Sequence, residues 1–103
     1  MTSSVISLLG ADKLTRKNYA TWENTINTVL VIDDLKFVLT KKYPPVPGPT
    51  ASRNVREAYK KWTKANNKSM VYILASLIEV LAKKHESMIT AREIMESLHE
   101  MFG

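Results

Sequence analysis

Cysteine is absent from this sequence, which removes disulfides and every thiolate metal site at once. Such a chain is compatible with a reducing compartment. Glycine is scarce. Gly10, Gly48 and Gly103 lie too far apart to form a phosphate-cradling loop. Histidine occurs twice, as His85 and His99, with no His-x3-His spacing and no recognisable pairing with a nucleophile. His85 follows two lysines and His99 falls on the polar side of its segment, so both read as surface residues. The carboxylate pair Asp33-Asp34 reads as a helix terminator and not as an acid/base couple. Long apolar runs are missing as well. Val29-Leu30-Val31-Ile32 is far too short to span a bilayer, and Met1 to Gly10 has no basic residue ahead of its short apolar run, as a secretory signal would. The expectation is a soluble, intracellular protein with no membrane partner, no small-molecule substrate, no cofactor, no metal and no catalytic residues.

What is present suffices for one globular domain. The chain has 103 residues, 45% of them hydrophobic and 24% charged, which excludes a disordered polymer and allows a modest core. The net charge of +5 is unevenly spread. Between Lys36 and Lys68 nine basic residues face a single acid, Glu57, while both flanking regions are slightly acidic. A basic middle attracts polyanions, yet a charged helix face is also commonly just solvated, and both readings stand.

Periodicity along the chain is helical. Residues 1–17 show no sustained period and are expected to form an extended or mobile leader to a single helical domain, 18–103. From Asn18, a candidate N-cap, the residues Tyr19, Trp22, Ile26, Val29 and Leu30 stack on one face. Asp33-Asp34 should interrupt that helix, and Leu35, Val38 and Leu39 suggest a short second one. All four prolines then fall between Tyr43 and Thr50, which dictates a stiff loop; Pro44 and Pro47 formally make a P-x-x-P.

Beyond the loop, Asn54 with Glu57 fits a capping box, Ser52 being the alternative cap. Val55, Tyr59, Trp62, Asn66, Met70 and Ile73 share one face, with Arg53, Lys60, Lys61, Lys64 and Lys68 on the other. The apolar stripe continues through Leu77, Val80 and Leu81, so one long helix or two abutting ones should cover roughly 54–82. A second capping box, Thr90 with Glu93, opens a last helix whose inner face carries Ala91, Ile94, Met95, Leu98, Met101 and Phe102. Its outer face carries Glu93, Glu96 and Glu100. No strand alternation or repeat is visible. The fold class is all-α: a compact bundle of four to five helices with a proline-rich loop after the second. Trp22 and Trp62 lie in the apolar stripes and are expected in the core, not as stacking platforms for bases.

Three stretches together resemble the N-terminal, capsid-like region of the Gag proteins of plant copia-type long-terminal-repeat retrotransposons. Leu14-Thr15-Arg16-Lys17-Asn18-Tyr19-Ala20-Thr21-Trp22 is similar to the family opening L-x-G-x-N-Y-x-x-W, with Arg16 at the glycine position. Trp62 to Asn66, followed by Tyr72 to Leu77, is similar to its W-x-x-x-[N/D] segment and apolar helix. Thr90-Ala91-Arg92-Glu93-Ile94-Met95-Glu96-Ser97-Leu98 is similar to its T-A-x-E-x-[W/M]-x-x-L helix. The resemblance covers roughly residues 14–103. It implies a self-assembling domain that builds cytoplasmic virus-like particles around retrotransposon RNA, with itself and full-length Gag as partners. Many relatives carry a downstream C-x2-C-x4-H-x4-C zinc knuckle, for which this chain has no cysteines.

Two further functions stay open. One is a small basic helical nucleic-acid-binding domain, against which the acidic last helix argues, because it would repel phosphate. The other is a host-adopted Gag fragment that interferes with assembly. Ile94, Met95, Leu98, Met101 and Phe102 are the candidate self-association residues, and Lys60, Lys61, Lys64 and Lys68 the candidates for weak, non-specific RNA contact.

Overall fold

A computed structural model of the chain describes residues 13–41 and 44–103. The fold is all-α. Among the described residues five helices run in the order α1 (Tyr19–Ile32), α2 (Phe37–Thr40), α3 (Arg53–Ala75), α4 (Glu79–His85) and α5 (Ala91–Phe102). Among the described residues the only extended pairing is an isolated bridge between Leu14 and Leu77. Both α2 and α5 pack on α3, α5 also covers α2, and α1 and α4 complete the bundle around α3.

α1 buries Tyr19, Trp22, Ile26, Val29 and Leu30, the stripe its spacing predicts. Its N-cap differs from expectation. The Asn18 side chain bonds backward, accepting the Thr15 N–H at 2.6 Å and donating to the Lys13 carbonyl at 3.0 Å, so it closes the preceding turn and makes no cap bond. That turn steers the chain into the core. Leu14 is fully buried, and its N–H donates to the Ser76 carbonyl at 2.9 Å. The packed domain therefore reaches back to Leu14, four residues before the expected boundary; residues 1–12 of the expected leader lie outside the described residues.

The helix stops where the paired aspartates were expected to stop it. Asp34 takes φ 56°, the left-handed conformation that reverses a chain after a helix. The Asp34 and Leu35 N–H groups then bond the Val31 and Leu30 carbonyls at 3.1 and 2.7 Å, a pattern that satisfies two otherwise orphaned acceptors. Leu35 and Val38 are turned into the core.

α3 is the long axis of the domain. Its cap is Ser52, whose hydroxyl accepts the Val55 N–H at 3.3 Å; Asn54, the other candidate, lies inside the helix. Trp62, Ala65, Asn66, Ser69, Tyr72 and Ile73 are buried. Val55 is not. It is half exposed, because the core begins only at Trp62, more than two turns into the helix. The expected 54–82 segment is two helices separated by a turn. The turn rotates the second out of phase with the first, burying Leu77 and Leu81 and leaving Val80 exposed.

α5 is opened by Thr90, whose hydroxyl accepts the Glu93 N–H at 3.1 Å. Ala91, Ile94 and Leu98 are fully buried, each large apolar side chain stabilising the fold by about 1.5–3 kcal/mol. Trp22 and Trp62 are both core residues, and the Trp22 indole N–H donates to the Ser76 hydroxyl at 3.0 Å.

Candidate interaction surface

Residues from the three family-like stretches meet at two joints. At one, Leu14 and Trp22 both bond Ser76, which fastens the start of the domain to the end of α3. At the other, the buried Asn66 donates to the Ile89 carbonyl and accepts the Ala91 N–H, each at 2.9 Å. One α3 side chain thus satisfies the last residue before the α5 cap and the first residue of α5. Thr90 between them caps the helix, so Trp62, Asn66, Thr90 and Ala91 fix how α5 crosses α3. Tyr19 completes the other end of α5. Its ring packs on Phe102 with centroids 6.1 Å apart, and its hydroxyl donates to Glu23 at 2.7 Å and lies 3.3 Å from His99 Nδ1. Burial, and then the hydrogen bond to Glu23, raise the Tyr19 phenol well above its ordinary pKa.

These placements correct several sequence-based expectations. Of the self-association candidates, Ile94 and Leu98 are fully buried in the intrachain core, and Phe102 and Met95 are partly covered. Only Met101 is exposed, because the stripe of α5 winds away from α3 at its last turn. Of the basic candidates, Lys60, Lys61 and Lys64 are exposed and make no ion pair among the described residues. Lys68 is engaged. Its ammonium is 3.4 Å from the Asp33 carboxylate and lies over the Tyr72 ring. The Tyr72 hydroxyl donates to the same carboxylate at 2.6 Å and, with Lys68, holds Asp33 below the usual carboxylate range. No sequence signal joined these three residues, since Asp33 and Tyr72 are 39 positions apart.

His85 is also corrected: it is fully buried. It continues the four-residue spacing of Leu77 and Leu81, a signal masked by its two lysine neighbours. Its Nδ1 lies 2.8 Å from the Leu81 carbonyl, which can only accept, so the proton sits on Nδ1. Its Nε2 lies 2.8 Å from the Ser97 hydroxyl, which can donate or accept. The pair ties α4 to α5. His99 is exposed, as expected.

Two surfaces are largely uncovered among the described residues. The first is the N-terminal part of α3. From Arg53 to Lys61 every residue except Tyr59 is exposed, so this stretch projects beyond the core as a basic arm. The Ser52 cap and an Arg53–Glu57 ion pair at 3.0 Å support it, and Arg56 pins the proline loop to it by donating to the Pro49 and Ala51 carbonyls. Val55 and Tyr59 extend the Trp62 stripe onto the arm without the core that covers Trp62.

The second surface is a groove along α5. A cleft of about 310 Å3 lined by Val38, Lys41, Trp62 and Glu93 adjoins one of about 400 Å3 lined by Glu23, Leu39, Met95 and Glu100; Arg92 and Glu96 line both. Leu39 and Met95 supply apolar surface, and four carboxylates outnumber Lys41 and Arg92 on the rim.

Among the described residues no group of three or more His, Cys, Asp or Glu side chains could hold a metal ion. No helix among them is long and apolar enough to cross a membrane. No protein-family model, curated protein or solved structure matches the chain.

Proposed function

We propose that this domain is a structural assembly module, one whose copies associate to build a capsid-like particle of the retrotransposon Gag type. The observation that carries this reading is the α3 arm. Isolated helices of a few turns are marginal in water and most helices gain stability by covering an apolar stripe. Here the stripe runs on through Tyr59, only partly covered beside the proline loop, to Val55, which is half exposed. A partner surface completes such an arm, and contacts of this size, weak singly, stabilise a shell when repeated in every copy. The resemblance to copia-type Gag supports the same reading. Its motif positions Leu14, Asn18, Trp22, Asn66, Thr90 and Ala91 all bond at turns or helix crossings. The partners are then further copies of this domain and full-length Gag, and the particles are cytoplasmic. Light-scattering mass across a concentration series tests the proposal: it should rise above the monomer mass as concentration increases, and a folded chain that stays monomeric would end it.

A second reading rests on Lys60, Lys61 and Lys64, exposed and unengaged by acids among the described residues. They give the arm a weak, sequence-blind attraction for RNA that falls steeply with salt as counterion release loses its value. Selective binding that persists at high salt would instead favour a dedicated nucleic-acid reader.

A further inference from the structure

The two largely uncovered surfaces are complementary, and we infer that the α3 arm of one copy docks in the α5 groove of another. This rests on the assembly reading above and adds to it the identity of the contact. The arm offers Val55 and Tyr59 as an apolar stripe, with Lys60 and Lys61 on the face behind it. The groove offers apolar surface from Leu39 and Met95 beside the Glu96 and Glu100 carboxylates. An apolar stripe on a net-basic arm matches an apolar strip in a groove with a net-acidic rim. Opposite potentials of this kind steer encounter and fix the register of the bound pair.

The second copy is favoured over an RNA strand as occupant of the pair of surfaces because the groove repels phosphate: its rim carries a surplus of carboxylates. Arm and groove are different patches of one molecule, so the contact is heterologous. Each copy that uses its arm still presents a groove, and the association propagates into a ring or an open array instead of stopping at a pair. Arg92 is already paired with Glu96 at 3.0 Å, an exposed bridge that an incoming lysine competes for at little cost.

Two charge-reversed proteins test the inference, Lys60→Glu/Lys61→Glu on the arm and Glu96→Lys/Glu100→Lys on the groove. All four positions are exposed, so both proteins should give the thermal melt of the parent. Sedimentation velocity is then run on the parent, each variant alone, and their equimolar mixture. The parent should associate, each variant alone should associate about tenfold more weakly or worse, and the mixture should recover association because opposite charges again meet. A parent that associates while neither variant changes overturns the arm-in-groove contact and leaves the assembly reading standing. A parent that is monomeric throughout overturns both. Arm variants that lose binding to a single-stranded oligonucleotide with unchanged self-association assign the arm to RNA and overturn the inference.

Discussion

The Asn66 side-chain oxygen accepts the Ala91 N–H at 2.9 Å, so a residue in the middle of α3 completes the N-terminus of α5. The first N–H groups of a helix have no partner within it, and a buried one left unsatisfied costs more than an ordinary hydrogen bond contributes. Asn66 also holds the Ile89 carbonyl. The α3–α5 crossing, which shapes the groove, therefore depends on one amide.

Asn66→Ala should accordingly destabilise the domain by roughly 2–4 kcal/mol, since two bonds are lost and a buried N–H is stranded. Its exposed neighbour provides the control: Asn67→Ala should be close to neutral. Urea unfolding of both variants checks this, and equal midpoints would show that the amide does not hold the crossing.

The last helix separates a folding face from an outer face. Leu98→Glu places a charge at a fully buried position and should abolish cooperative unfolding. Met101→Glu, at an exposed position one turn later, should cost less than about 1 kcal/mol. Near-ultraviolet circular dichroism distinguishes the two, with the native aromatic signal lost only in the first.

Asp33 gives the domain an acid-sensitive contact. The Tyr72 hydroxyl first, and Lys68 with it, hold its carboxyl below the ordinary range, so the folded protein releases this proton more readily than the unfolded chain. The stabilisation is fully present above the unfolded value of about 4 and is lost as pH falls through the lower, folded value. Asp33→Asn should be less stable than the parent at neutral pH, and the gap should close in acid. Urea midpoints measured from about pH 7 down to about pH 2.5 report it. A gap independent of pH would mean that the carboxylate charge is not what the contact uses.

Asp34 stands in the left-handed conformation that ends α1, at φ 56°. Glycine adopts it without the steric cost of a Cβ. Asp34→Gly should therefore stabilise the domain, by up to about 1 kcal/mol, a rise of several degrees in melting temperature. A lower melting temperature would show that the aspartate side chain contributes something the turn geometry does not reveal.

Much of the fold was legible because it follows from local rules. The α1 stripe from Tyr19 to Leu30, the stop at Asp33-Asp34, the proline loop and the Thr90 cap each depend on residues within a turn or two of one another. The errors came where distant elements decide. Val55 has the right phase to be buried, but burial requires an opposing helix, and the bundle ends at Trp62. His85 looks solvated from its lysine neighbours, yet α5 brings Ser97 to its free nitrogen. Ile94 and Leu98 look available for self-association until α2 and α3 are seen to cover them. The groove lay beyond sequence reasoning altogether. Its lining comes from four helices, and no spacing within one helix encodes it.

The central claim is that copies join by arm and groove, and the absence of native cysteine allows it to be measured between molecules. Ala58→Cys, at an exposed arm position, accepts a single nitroxide spin label. That protein, at natural isotope abundance, is mixed with unlabelled parent enriched in 15N, so any paramagnetic broadening seen arises across an intermolecular contact. The account predicts selective loss of the Arg92, Glu96, His99 and Glu100 amide signals in the enriched copy, abolished by the Glu96→Lys/Glu100→Lys changes. Broadening centred on another face, or none at concentrations where the parent is associated, would contradict it.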